Sequence, residues 1–161
     1  VRRSDSGARQ LTREFAVAEP ADPFLRTLDA YAAAVRDKDV DAFAALYDAD
    51  VHVFDMWGSW SIRGLAAWRA MAADWFASLG AETVAVTCDE AQSALSGELA
   101  IGHAVLTYTA SAPDGTRLRA LSNRATMALR RTGTAWTIVH EHTSAPIDHR
   151  SLQAILDRGP G

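Results

Sequence analysis

The chain has 161 residues, 48% of them hydrophobic and 22% charged, with a formal net charge of −4. That length supports one domain with a core of its own, and the charge balance offers no broad cationic field for a nucleic-acid backbone. No apolar run approaches the roughly 20 residues that cross a bilayer, and the single cysteine, Cys88, allows neither an internal disulfide nor a thiolate zinc cluster, so the cytoplasm is the expected location.

The opening "VRRSDSGARQLTREF" begins with basic residues but lacks the apolar segment of a signal peptide, so residues 1–20 read as a polar tail. In "ADPFLRTLDAYAAAVRDKD" the residues Phe24, Leu28, Tyr31 and Val35 recur at helical spacing, with Asp22 placed to cap and Pro23 at the first helical position. "VDAFAALYDAD" repeats the pattern over a shorter span, capped by Asp39 or Asp41, and "VHVFDMW" then switches to a strand. Gly58 and Gly64 bracket a turn or short hairpin, after which "LAAWRAMAADWFASLG" is a third helix ended by Gly80.

The following residues read as strands. Four segments, Glu82–Leu95, Leu99–Ser111, Arg117–Arg131 and Ala135–Ser144, are separated by "SGE", "APDG" and "RTGT", which predicts an antiparallel meander. Helices followed by hairpin-linked strands indicate an α+β fold, a curved antiparallel sheet wrapped around three N-terminal helices. After Pro146, "DHRSLQAILDR" reads as a short helix. The expected organisation is therefore a tail over 1–20, a domain over 21–146, and a C-terminal helix and tail over 147–161.

The last strand, "WTIVHEHTSAP", carries two imidazoles. Strand alternation puts His140 and His142 on the face that holds Trp136 and Ile138. Pairing around "RTGT" sets Leu129 beside Trp136, Met127 beside Ile138, Ala125 beside His140 and Asn123 beside His142. Such a face is apolar near the turn and polar further on, as a pocket wall would be. Three readings are open for the histidines: satisfied structural groups, pocket groups that exchange protons or hydrogen bonds with a ligand, or metal ligands joined by His52, His103 or Asp55. On the opposite face Arg124 falls opposite Glu141, and a one-residue bulge would reverse the parity and turn that pair into the pocket.

Asp55 closes the first strand beside Trp57, Trp60 and Tyr31, where burial would raise its pKa toward that of a general base; its other reading is a turn cap. Trp68, Trp75 and Phe76 share the third helix as core or pocket wall. Trp57 and Trp60 sit in a loop and suit a planar apolar ligand.

The run "YAAAVRDKDVDAFAALYDADVHVFDMWGSWSIRG" resembles the ketosteroid-isomerase-like and SnoaL-like branch of the nuclear transport factor 2-like superfamily, and the resemblance extends over Pro23 to Pro146. It implies a cone whose open end forms an apolar pocket, an apolar small-molecule ligand, and a homodimer formed through the sheet. It also implies that Tyr31 donates a hydrogen bond to a substrate oxyanion and that Asp55 moves the proton. Ketosteroid isomerases add a second, protonated aspartic acid beside the tyrosine. Ala125 stands in that place here, and one lost oxyanion donor costs roughly 3 to 4 kcal/mol of transition-state stabilisation; His140 is placed to fill the gap. "WTIVHEHTSAP" resembles SnoaL-like and kinase-association-domain members, which carry a Trp, a His-x-His pair and a Ser in this order.

The expected function is that of a cofactor-independent isomerase, cyclase or dehydratase working by Asp-mediated proton transfer on an apolar carbonyl or polycyclic compound. The alternative is a non-catalytic ligand-binding or dimerisation module. The candidate catalytic residues are Asp55, Tyr31, His140 and His142; the candidate substrate-binding residues are Trp57, Trp60, Trp68, Phe76, Asn123 and Ala125. No metal or cofactor is assigned, and no phosphate loop, dinucleotide glycine motif or serine elbow is present.

Overall fold

The computed structural model describes residues 22–159, and the expected polar tail over 1–20 lies outside them. Helix α1 (Pro23–Asp37) starts where Asp22 Oδ1 accepts the Phe24 N–H at 2.8 Å and Pro23 needs no amide partner. It stops at Lys38, whose left-handed backbone (φ 52°) turns its N–H onto the last carbonyls. Helix α2 (Val40–Ala44) is a single short turn capped by Asp39, whose Oδ1 accepts from Ala42 N at 2.9 Å. Strand β1 (Tyr47–Phe54), the two-residue β2 (Ile62–Arg63) and helix α3 (Leu65–Ser78) follow. The chain ends in four strands: β3 (Thr83–Ser96), β4 (Leu99–Ser111), β5 (Arg117–Thr132) and β6 (Ala135–Ser144).

Among the described residues all six strands form one curved sheet in the order β2-β1-β6-β5-β4-β3. The meander β3 to β6 is antiparallel, as expected, but β1 lies parallel to β6, so the sheet is mixed. The reason lies in the connection: β1 is separated from the meander by β2 and α3, a crossover long enough to return the chain in the same direction. The helices cover one face and bury Phe24, Leu28, Tyr31, Val35, Phe43 and Trp68 against the inner residues of the sheet. Phe24 packs so closely on β4 that a Cβ on Gly102 would fall 2.3 Å from its ring. Among the described residues no helix is long and apolar enough to cross a membrane.

Two sequence expectations fail in the second half of the chain. The β5–β6 hairpin turns at Gly133–Thr134, one residue later than expected, so Arg131 pairs with Trp136 and Leu129 with Ile138. A bulge then intervenes, because Ala128 opposes His140 and leaves Val139 as the extra residue. Beyond it Met127 pairs with Glu141, Thr126 with His142 and Ala125 with Thr143. Ile138, Glu141 and Thr143 therefore share the inner face, and His140 and His142 go to the outer one.

The expected C-terminal helix does not form. Asp148 Oδ1 takes the N–H groups of Arg150 and Ser151 at 3.0 and 2.7 Å, which locks a side-chain turn in place of a helical one. Leu152 adopts φ 58°, and Ile147 bridges back to Ala154. The segment then runs beside β5 past the end of β6, where Leu156 O accepts the Ser122 N–H at 2.8 Å.

Candidate active site

Between α1, α3 and the inner face of the sheet lies a cavity of about 490 Å³. Each element delivers its residues by its own periodicity. On α1, Tyr31 follows Phe24 and Leu28 on the buried face, and its hydroxyl meets that of Tyr108, from β4, at 3.0 Å. On α3, Trp68, Met71 and Trp75 line the cavity at helical spacing. Asn123 on β5 stands opposite Leu106, and Glu141 and Thr143 enter from β6 by way of the bulge.

Asp55 follows the last residue of β1 and lines the same cavity. Thr143 Oγ1 donates to its Oδ1 at 2.8 Å while accepting the Met56 N–H at 2.8 Å, so one hydroxyl ties the carboxyl to the loop behind it. Burial raises the Asp55 pKa; the Thr143 hydroxyl and the Met56 and Trp57 amides act against that rise. Asp55 thus anchors the turn that follows β1 and at the same time forms part of the cavity wall.

Glu141 is 1% exposed. Tyr47 donates to its Oε2 at 2.7 Å, and among the described residues no hydrogen bond reaches Oε1. Burial is the main reason that its pKa is pushed up to about 7; the Tyr47 hydrogen bond opposes the rise and the Asp55 charge adds to it. The hydroxyls of Tyr31 and Tyr47 are driven well above the usual tyrosine range, chiefly by burial, and Tyr108 is raised for the same main reason. At neutral pH the cavity thus holds neutral phenols and two carboxyls that differ in their readiness to ionise.

The structure brings together Tyr31, Asp55, Trp57, Trp68 and Asn123 of the residues named from sequence. Phe76 and Ala125 are buried in the core and do not line the cavity. Trp60 is 98% exposed and does not line the cavity; it lies along a separate groove that also holds His142 and that shares Asp55, Gly58 and Thr143 with the cavity. His140 Nδ1 is 2.7 Å from the His52 carbonyl oxygen, an acceptor, so that nitrogen is the donor. Its ring stands near Phe54, with centroids 5.0 Å apart, and Phe54 lies 5.9 Å from His142. The two imidazoles therefore belong to an outer cluster with His52 and Phe54, because the bulge at Val139 reverses the parity on which their inward placement rested. Arg124 does not accompany Glu141 inward; it is exposed and pairs with Ser144. Among the described residues no three His, Cys, Asp or Glu side chains gather where they could hold a metal ion.

Sequence reasoning missed Tyr108, Tyr47 and Thr143 as cavity or supporting residues and placed Glu141 inside only for the case of a bulge; Trp75, read as core or pocket wall, lines the cavity. The signal for Glu141 is a glutamate flanked by two residues of the opposite face, readable only once the register is known.

Residues 25–148 match the family model of the SnoaL-like domain. A nuclear transport factor 2-like protein of unknown function from Pseudomonas putida KT2440 is 26% identical, over 85% of this chain and 94% of that one, with a TM-score of 0.74. A nuclear transport factor 2-like protein with a cystatin-like fold from Novosphingobium aromaticivorans shares 17% identity over 81% of this chain and 84% of that one, at a TM-score of 0.67. A candidate calcium/calmodulin-dependent protein kinase II association domain from Xanthomonas campestris is 16% identical over 76% of this chain and 85% of that one, at a TM-score of 0.65. None of the curated proteins compared with this chain matches it.

Proposed function

The chain belongs to the SnoaL-like domain family, and from that membership we propose that it is a cofactor-independent isomerase, cyclase or dehydratase that moves a proton on an apolar, carbonyl-bearing compound. One observation carries the reading: Asp55, Glu141 and the hydrogen-bonded pair Tyr31 and Tyr108 line one cavity whose other walls are largely aromatic and aliphatic.

In this mechanism Asp55 is the base. Its position in an apolar wall raises its proton affinity, and the Thr143 hydroxyl holds one oxygen so that the other is directed to the ligand. As the substrate carbonyl gains negative charge, Tyr31 donates to it, oriented by Tyr108. Glu141 takes the part that the sequence reading gave to a histidine. Its carboxyl ionises near neutrality, so it can supply a proton to the developing oxygen or recover one after turnover.

The test is hydrogen–deuterium exchange at C1 of 2-tetralone in heavy water, followed by NMR. Wild-type protein is expected to accelerate the exchange, and Asp55→Asn to lower that acceleration about 100-fold or more. Equal exchange rates for the two proteins would reject Asp55 as the base.

A second reading is a ligand-binding association module that dimerises through the sheet. It draws on the outer face, where Phe54 is 39% and Ile101 54% exposed, and on the relative described as an association domain. Under it the Asp55→Asn variant keeps its affinity for 2-tetralone and neither protein catalyses exchange, while sedimentation equilibrium returns a dimer.

A further inference from the structure

The cavity has a charge character that bears on the charge of its ligand as well as on proton transfer. Its walls include Tyr31, Phe43, Trp57, Trp68, Trp75 and Tyr108, six aromatic rings around a space of about 490 Å³. Two carboxyl groups, Asp55 and Glu141, enter that space. Glu141 is 1% exposed, and among the described residues its Oε1 receives no hydrogen bond. The one guanidinium on the cavity wall, that of Arg119, is committed: Nη1 and Nη2 bind both oxygens of Glu82 at 3.0 and 2.6 Å. No free cation among the lining residues is left to receive an anionic ligand.

We infer that the cavity recognises an organic cation, an apolar molecule bearing an alkylammonium group, which the aromatic faces surround and the Asp55 and Glu141 carboxyls neutralise. A ring of aromatic faces attracts a quaternary or protonated amine through its quadrupoles, and the attraction grows where water is excluded. A carboxylate on an apolar wall whose partner is a neutral hydroxyl, Tyr47 for Glu141 and Thr143 for Asp55, is costly to ionise, and a bound cation removes that cost. The same two features act against a carboxylate ligand, which would add a third negative group to the cavity. This assignment concerns ligand charge and does not rest on proton transfer: a protein that fails to exchange 2-tetralone can still select a cation, and a protein that exchanges it can fail to.

Quenching of the intrinsic tryptophan fluorescence at pH 8, checked by titration calorimetry, measures the selection with three probes built on one naphthyl ring system. They are (2-naphthylmethyl)trimethylammonium, its uncharged carbon isostere 2-neopentylnaphthalene, and 2-naphthoate. Wild-type protein is expected to bind the cation about tenfold or more tightly than the isostere, and 2-naphthoate more weakly than either. Asp55→Asn and Glu141→Gln should each reduce the preference, and the double variant should bring the cation and the isostere within about twofold, with the isostere's affinity unchanged as the sign that the cavity is still formed. The inference is overturned if wild-type protein binds the cation no more tightly than the isostere, if the preference survives in the double variant, or if none of the three probes binds.

Discussion

Glu141 is the residue whose placement most changes the chemistry. Its carboxyl ionises at about 7 in the folded chain against an ordinary 4.5. The native state therefore holds a proton that the unfolded state has already released, and stability falls as pH rises from about 4.5 to about 7 and levels off above that. The full difference corresponds to about 3 kcal/mol. Glu141→Gln is expected to flatten that slope and to stabilise the protein by about 1 to 3 kcal/mol at pH 8, with little change at pH 4.5; urea unfolding at the two pH values measures it. A wild-type protein equally stable at both would mean that Glu141 is charged in the fold and relieved by a group other than Tyr47. Tyr31 and Asp55 were legible in the sequence because each belongs to a strong local pattern, Tyr31 to the apolar stripe of a helix and Asp55 to the end of a strand. Glu141 was not, since its side depends on a partner strand.

The helices and strands were largely readable from apolar periodicity and turn residues: β4 and β6 begin and end where the pattern does, and Asp22 and Asp39 cap the helices they precede. The failures are non-local. Nothing within "WTIVHEHTSAP" marks Val139 as surplus, because the bulge is a mismatch between two strands. The C-terminal stretch has helical composition, but Asp148 captures the amides a first turn would use. Gly102 was also silent in the sequence, although the fully buried ring of Phe24 occupies the space of its missing side chain. Gly102→Ala forces α1 away from β4 and is expected to cost about 1 to 3 kcal/mol, read as a lowered urea midpoint. An unchanged midpoint would show that α1 shifts freely on the sheet. Trimming the ring in the same background, Phe24→Leu with Gly102→Ala, should cost less than the sum of the two single changes, because the added methyl then fills space the ring has vacated.

In the whole molecule the packed end and the open end have different tasks. Phe43 joins the rings of Tyr31, Tyr47, Trp68 and Phe76 into a cluster with centroids 5.2 to 6.0 Å apart, and this cluster backs the cavity. The central strands β4, β5 and β6 are each paired on both sides, whereas β2 is a two-residue edge and β3 the other edge. Native-state hydrogen exchange should therefore find the slowest amides in the middle of β4, β5 and β6, and the fastest in β2 and the loop around Trp57; a slowest set in α1 would locate the stability in the helical layer. The bulge at Val139 also bears on how relatives should be aligned. Because two residues there occupy the place of one, a homologue shorter by that single codon would still point its counterpart of Glu141 inward. An alignment without a gap at this point would then match inward side chains of one protein to outward side chains of the other. Descent by a deletion would leave the chemistry intact while making the sequences look as though it had been exchanged.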